Sequence, residues 1–310
     1  MENILSAIRA NIQTVLVGEE RAASLLLTAL IAGGHVLIED VPGMGKTVLA
    51  RSLAKSVDAA FGRVQFTPDL LPSDVTGLNF FDRKAGDFVF SPGPVFCSIL
   101  LADEINRATP RTQSALLECM AEGQVTVDGV TRRLEPPFFV IATQNPVETL
   151  GTTPARGPAG PVLLRISMDM PTKAQERQIL ERFQDSEPLE SLRRCAPKSR
   201  LWSCRPRRGR SISTRRCWTT WWTWPTPPGR CGGRAGGQPP GHPGLMRASQ
   251  AKALVEGRQF VTPEDIKEVG VPVIAHRLAV SGMAGSSQAQ KEAAASLLSS
   301  VALPTEDWSR

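Results

Sequence analysis

The sequence predicts an α/β fold, a parallel sheet sandwiched between helices, followed by a small C-terminal helical region. Three observations carry this. The short apolar runs "HVLIED", "SILLADEI" and "FFVIATQNP" show no polar alternation, as strands covered on both faces do not. Helical patterns fall between them, and from about Leu245 onward the pattern is helical alone. At 310 residues the chain can hold a main domain and a smaller second one.

From Glu2 to about Ile31 apolar residues recur at helical spacing, broken at "VGEE", so two helices meet at Gly18. "HVLIED" is a buried strand and "TVLARSLAKSV" the helix after it. "GRVQFTPDL" is a second strand and turn, and "DFVFSPGPVF" a hairpin arm with a Pro/Gly turn. "SILLADEI" is a strand ending in two carboxylates. "RTQSALLECMAEG" is an amphipathic helix stopped by Gly123, and "QVTVDGVTRRL" a hairpin turning at Asp128 and Gly129. "FFVIATQNP" is a further central strand. In "FVTPEDIKEVGVPVIAHRL", Thr262 caps a helix that starts at Pro263 and carries Glu264 and Asp265 in its first turn.

The formal charge of +6 is unevenly placed. Residues 191–240 hold 12 Lys/Arg and no Asp/Glu; removing those 12 from 36 leaves 24 basic residues against 30 acidic, so the rest is mildly acidic. A nucleic-acid partner is therefore not expected. The same window holds four of the six cysteines and five of the six tryptophans, without a C-x-x-C pair or a nearby histidine, which argues against a zinc site. No apolar run reaches the length of a membrane span, and "MENILSAIRANIQTV" reads as an amphipathic helix, not a secretion signal. The expected location is the cytoplasm.

The chemistry sits in "IEDVPGMGKTVLA". A phosphate-binding loop needs backbone N–H groups converging on phosphate oxygens, a lysine for the β/γ-phosphates and a hydroxyl for Mg²⁺. Gly43, Gly45, Lys46 and Thr47 supply them; Asp40 replaces the usual first glycine, and Pro42-Gly43 makes the turn. A hydrolysing enzyme of this kind also needs an acid at the end of a neighbouring buried strand and a base for the attacking water. Asp103, holding the metal through water, and Glu104, as base, follow "SILLA" directly. Asn145, at the end of "VIATQN", is placed to face the γ-phosphate.

The stretches "VQFTPDLLPSDVTG", "GPVFCSILLADEINRATPRTQSALLECMAEGQVTVDG" and "FFVIATQNPVETLGT" resemble the MoxR family of AAA+ ATPases, over about 3–153 and again over 245–278. The resemblance implies a ring-forming homo-oligomer, usually a hexamer, that uses ATP and Mg²⁺. It implies Walker A at 40–47, Walker B at 99–104 and sensor 1 at Asn145. The nucleotide contacts then fall to Asp40, Val41, Pro42, Gly43, Met44, Gly45, Lys46, Thr47, Val48 and Asp103, with Thr47 and Asp103 serving the metal. It also implies chaperone-like remodelling or cofactor insertion, often beside a partner bearing a von Willebrand factor A domain. The corresponding division is an ATP-binding core over 1–171, the start of a helical lid over 172–192, an aberrant segment over 193–244 and the remaining lid and tail over 245–310.

Family members continue from "TQNP…GT" into a phrase close to "YPLPEAQLDRFLL", whose arginine reaches the neighbouring subunit's γ-phosphate. This chain reads "TPARGPAGPVLL", and Arg156 and Arg165 lie outside the finger's place. The departure has the form of a reading-frame slip. If "PEAQLDRF" is written in G/C-rich codons and read two bases late, it yields "RGPAGPV", residues 156–162. "DPAVLDYLVDLA" read one base late yields "TRRCWTTWWTWP", residues 214–225, and "GASPRATL" read two bases late yields "GQPPGHPG", residues 237–244, where the family's sensor 2 arginine falls near Pro240. The absence of tyrosine fits, since two of the lost phrases contain one. As written, 193–244 lacks any periodic pattern and is expected to be disordered. Beside this, the window can be read as a basic, aromatic insert whose Trp and Arg residues hold single-stranded nucleic acid. For the whole chain two other functions stay open: an ATP-binding scaffold with little turnover, and a DNA-acting AAA+ motor whose salt-sensitive DNA binding would survive deletion of residues 193–234.

Overall fold

The computed structural model describes residues 2–39, 43–84, 86–145, 161–168, 170–185, 188–190, 192–197, 200–201, 242–278 and 287–300. In chain order these form α1 (Glu2–Val15), α2 (Glu20–Ala32), β1 (His35–Glu39), α3 (Lys46–Ser56), β2 (Phe61–Gln65), α4 (Pro72–Thr76), β3 (Gly77–Asp82), β4 (Asp87–Pro92), β5 (Ile99–Asp103), α5 (Pro110–Glu122), β6 (Gln124–Val127), β7 (Val130–Arg133), β8 (Phe139–Gln144), β9 (Val162–Ser167), α6 (Lys173–Asp185), α7 (His242–Val255), α8 (Pro263–Ile274) and α9 (Ser287–Ser299).

Five strands make one parallel sheet in the order β2-β5-β8-β1-β9. Its central strands β5, β8 and β1 read as largely apolar runs because helices cover both faces. On β5, Ile99 and Leu101 enter one core cluster and Leu100 and Ala102 the other; Phe139 and Ile141 of β8 part from Val140 and Ala142 in the same way. The first cluster packs under α1, α2, α3 and the C-terminal helices, the second under α5. Each leucine buried here contributes about 1.5–3 kcal/mol by its removal from water.

The local signals hold at most junctions. Gly18 takes a left-handed φ of +83° between α1 and α2. Gly123 ends α5 at φ +63°, and Asp128 and Gly129, both at positive φ, close the β6–β7 hairpin in the turn that matches strand twist. The Thr262 hydroxyl accepts from Asp265 N, and the Asp265 carboxylate accepts from Thr262 N, a reciprocal cap that starts α8 at Pro263.

One expectation needs correction. "DFVFSPGPVF" does supply a hairpin arm, β4, but the hairpin turns before it, where Gly86 N donates to the Asp82 carbonyl at 2.8 Å. The Pro/Gly run after β4 instead folds back on α4. A Cβ on Gly93 would meet the Val75 carbonyl at 2.4 Å, an approach only glycine allows. "VLLRIS", for which no strand is predicted above, forms the edge strand β9 beside β1.

That strand carries a buried charge. Arg165 forms an ion pair with Glu39, the last residue of β1; their side chains are 10 % and 9 % exposed. Arg165 Nη1 also donates to Gln290 Oε1 at 2.7 Å, and Ser287 Oγ donates to Glu39 Oε2 at 2.7 Å, so the first turn of α9 closes over the pair. Arg165→Met leaves the Glu39 carboxylate buried without its cation, and unfolding in denaturant is expected to show a loss of about 3–5 kcal/mol. Glu39→Gln combined with Arg165→Met should recover most of that loss. A single substitution no worse than the double would show the pair to be unimportant for stability.

The segment expected to be disordered begins at residue 193. At its start, Cys195 N and Ala196 N donate to the Ser56 carbonyl, Arg194 pairs with Asp58, and Leu201 is buried. Residues 202–241 lie outside the described residues.

Candidate nucleotide site

The parallel register brings four strand ends to one edge. Gln65 of β2 lies opposite Asp103 of β5, Ala102 opposite Ala142, and Glu39 of β1 opposite Gln144 of β8. In open α/β sheets, ligand sites form outside these carboxyl ends.

Beyond β1 the described chain resumes at Gly43, so the expectations placed on Asp40, Val41 and Pro42 lie outside the described residues. Gly43 and Gly45 take φ of +97° and +79°, conformations that side chains with a Cβ resist. Gly45 is the left-handed N-cap of α3, and Lys46 and Thr47 open that helix. Its first N–H groups and dipole favour an anion. Met44 sits half-buried between the glycines, and Val48 half-buried in the first turn of α3.

Asp103 closes β5 and is buried at 7 % exposure. Thr143 Oγ1 donates to its Oδ1 at 3.2 Å and Arg63 Nε to its Oδ2 at 2.8 Å. Glu104 follows with φ +55° and ψ +49°, a left-handed conformation rare outside glycine. In a continuing strand the next side chain would face away from its neighbour. The left-handed turn instead lets Asp103 and Glu104 line the same cavity, at a local cost of order 1–3 kcal/mol. Thr143 Oγ1 accepts from Glu104 N at 2.9 Å and steadies this turn. Glu104 Oε2 accepts from Gln65 Nε2 at 2.7 Å and from Arg107 Nη1 at 2.9 Å.

One cavity of about 320 Å³ is lined by Gly43, Gly45, Lys46, Thr47, Arg63, Gln65, Asp103, Glu104, Thr143 and Asn145. It thus unites the glycine turn, the lysine, the hydroxyl, both acids and the asparagine read from the sequence. Arg63, Gln65, Thr143 and Arg107 were missed. For the first two a signal existed: residues two apart at a strand end share a face, so "RVQ" on the strand next to β5 aims both polar groups one way. Arg165, set aside as a finger by its position, is committed to Glu39 inside its own chain.

A larger cleft of about 690 Å³ lies between α3 and residues 189–194, lined by Arg51, Lys55, Asp58 and Glu190 among others, without a glycine turn or paired strand-end acids. Burial pushes the Cys97 thiol up to about 11 and, with Glu118 adding to it, the Cys119 thiol up to about 12, so neither is a ready nucleophile. Among the described residues no cluster of three or more His, Cys, Asp or Glu is placed to hold a metal, and no helix is long and apolar enough to cross a membrane.

A parallel β2-β5-β8-β1-β9 sheet with a phosphate loop after β1, acids after β5 and a helical region behind it defines a P-loop module of the AAA+ class. Residues 35–158 match the family described as ATPase family associated with various cellular activities (AAA), and 234–298 match an AAA lid domain. The uncharacterized protein YeaC of Bacillus subtilis is 42 % identical, over 96 % of this chain and 93 % of its own length. Chaperone MoxR1 of Mycobacterium tuberculosis is 32 % identical, over 94 % and 80 %. Protein MoxR of Methylorubrum extorquens is 32 % identical, over 86 % and 85 %. A crystal structure of a candidate ATPase from Cytophaga hutchinsonii superposes with a TM-score of 0.77 at 31 % identity, covering 94 % of this chain and 93 % of that one. The chain belongs to the MoxR family of AAA+ ATPases.

Proposed function

We propose that this chain binds ATP with Mg²⁺ and belongs to a ring homo-oligomer, a hexamer, that spends ATP hydrolysis on remodelling partner proteins or inserting their cofactors. The name Chaperone MoxR1 carried by one relative supports the remodelling part. A cytoplasmic setting and a partner with a von Willebrand factor A domain complete the reading. The observation that carries it is the single cavity shared by Lys46, Thr47, Asp103, Glu104 and Asn145.

In this reading the α3 N-terminus and Lys46 hold the β- and γ-phosphates. Thr47 and Asp103 fit Mg²⁺: a hydroxyl and a carboxylate in one cavity, with phosphate oxygens and waters to complete the shell, are the donors that ion takes. Bound there, the ion offsets charge developing on the phosphates. Glu104 takes the proton of the attacking water, and Asn145 orients the γ-phosphate.

A second reading is favoured by one observation. No arginine occupies the finger's place, and Arg165, the nearest described one, is buried against Glu39. The chain as written then binds ATP as a scaffold and turns it over slowly.

Both readings require the phosphate grip. Lys46→Ala should weaken ATP binding at least about tenfold, the loss of a charge-assisted contact of about 1.5–3 kcal/mol. Unchanged affinity in a calorimetric titration would remove the P-loop assignment.

A further inference from the structure

The cavity contains a cation that a phosphate grip does not call for. Arg63 is on β2, whose register sets it beside Leu101 of β5, two residues before the strand end. From there its Nε reaches Asp103 Oδ2 at 2.8 Å, while Thr143 holds Oδ1. The carboxylate expected to serve the metal through water therefore has both oxygens engaged. Its partners differ in character. Thr143 and Asp103 are buried, at 2 % and 7 % exposure, whereas the Arg63 side chain is 47 % exposed and borders the open cavity.

Two carboxylates on adjacent residues, Asp103 and Glu104, repel each other in a half-buried edge unless cations stand beside them. Arg63 and Arg107 do this, one arginine to each acid. A divalent ion entering alone must either displace Arg63 from Asp103 or share the carboxylate with it, and in both cases it lies near the guanidinium, with like charges a few ångströms apart. An ion arriving on a triphosphate meets a different balance, because phosphate oxygens lie between the cations and are partners a guanidinium accepts as readily as a carboxylate.

We propose that Arg63 stands in for Mg²⁺ at Asp103, holding off the bare ion as long as nucleotide is not bound and releasing the carboxylate only to metal that arrives on nucleotide. This rests on the nucleotide-site reading above. Arg63 is thus a positioning residue for the metal ligand.

The test is Mn²⁺ binding to the full chain without nucleotide, followed by electron paramagnetic resonance of the free ion. A charge-assisted contact is worth roughly 10- to 100-fold in affinity, so Arg63→Met should bind Mn²⁺ alone at least about tenfold more tightly than the parent. Arg63→Lys, which keeps the charge, should stay near the parent. Adding Asp103→Asn to Arg63→Met should abolish the gain. Equal or weaker Mn²⁺ binding by Arg63→Met overturns the proposal, as does a gain that survives Asp103→Asn. Melting curves check folding, and Arg63→Gln replaces the methionine variant, with the same expectations, should that one fail to fold. ATP affinity of Lys46→Ala separates the two levels: if it equals the parent's, the nucleotide site itself is misassigned. If it falls while Arg63→Met leaves Mn²⁺ binding unchanged, only the exchange at Asp103 is wrong.

Discussion

Restoring "PEAQLDRF" in place of residues 156–162, together with the two lid phrases, is expected to raise ATP turnover by about 10³–10⁵-fold, the worth of an arginine supplied in trans to a phosphoryl-transfer site. The residues read as phosphate grip, metal ligands, base and sensor 1 are all written in the chain, so nothing else in the cavity should limit the rate to that degree. The dependence on assembly is equally diagnostic. The chain as written should turn over at a low rate that does not change with protein concentration, because its sequence has no arginine at the finger's place. The restored chain should speed up as rings form. Steady-state phosphate release measured across a concentration series reads both effects. Equal rates for the two chains would show that another residue acts as the finger, or that 154–163 is genuine text with its own role.

Glu104→Gln in the restored chain should stop turnover while leaving ATP bound, and nucleotide-loaded rings should accumulate. The amide keeps the size of the side chain and can still meet Gln65 or Arg107, but it cannot accept the proton of the attacking water. Single-turnover measurements with ATP in place separate this from lost binding. Turnover at the parent's rate would move the base to another residue, and lost ATP affinity would make Glu104 a binding group.

The α/β class and most junctions were legible because their signals are local. Gly18, Gly123, the Asp128-Gly129 turn and the Thr262 cap each fix the backbone within a few residues. The acids and the asparagine were legible because each follows a buried apolar strand, and parallel strands deliver their ends to one edge. What was missed depends on partners far along the chain. Arg63 meets Asp103 across 40 residues, and Arg165 meets Gln290 across 125. The "RVQ" spacing tells which way Arg63 points, but nothing in the surrounding sequence names the partner in either pairing. β9 was overlooked for another reason: Arg165 interrupts its apolar run, and only Glu39 on the neighbouring strand makes a buried arginine tolerable there. The place of the hairpin turn before β4 was misread because Pro92-Gly93-Pro94 is a strong turn signal that serves a close approach to α4 instead.

The closure of α9 over Glu39 and Arg165 also bears on how the molecule can be cut. Written as a string, the core precedes the lid and looks separable from it. In space, one apolar cluster runs without a break from Val36 and Leu101 in the sheet through Leu26 of α2 to Ala248, Ile266 and Leu298 of the C-terminal helices. Lys252 of α7, 4 % exposed, reinforces the join by donating to Ser24 of α2, Glu256 and Glu268. A fragment ending near residue 171 would expose the apolar side of α2 and strip the cover from the charges at the root of the phosphate loop. The nucleotide-binding half cut out alone is therefore expected to unfold at a lower denaturant concentration than the full chain, because the tail helix is part of its foundation.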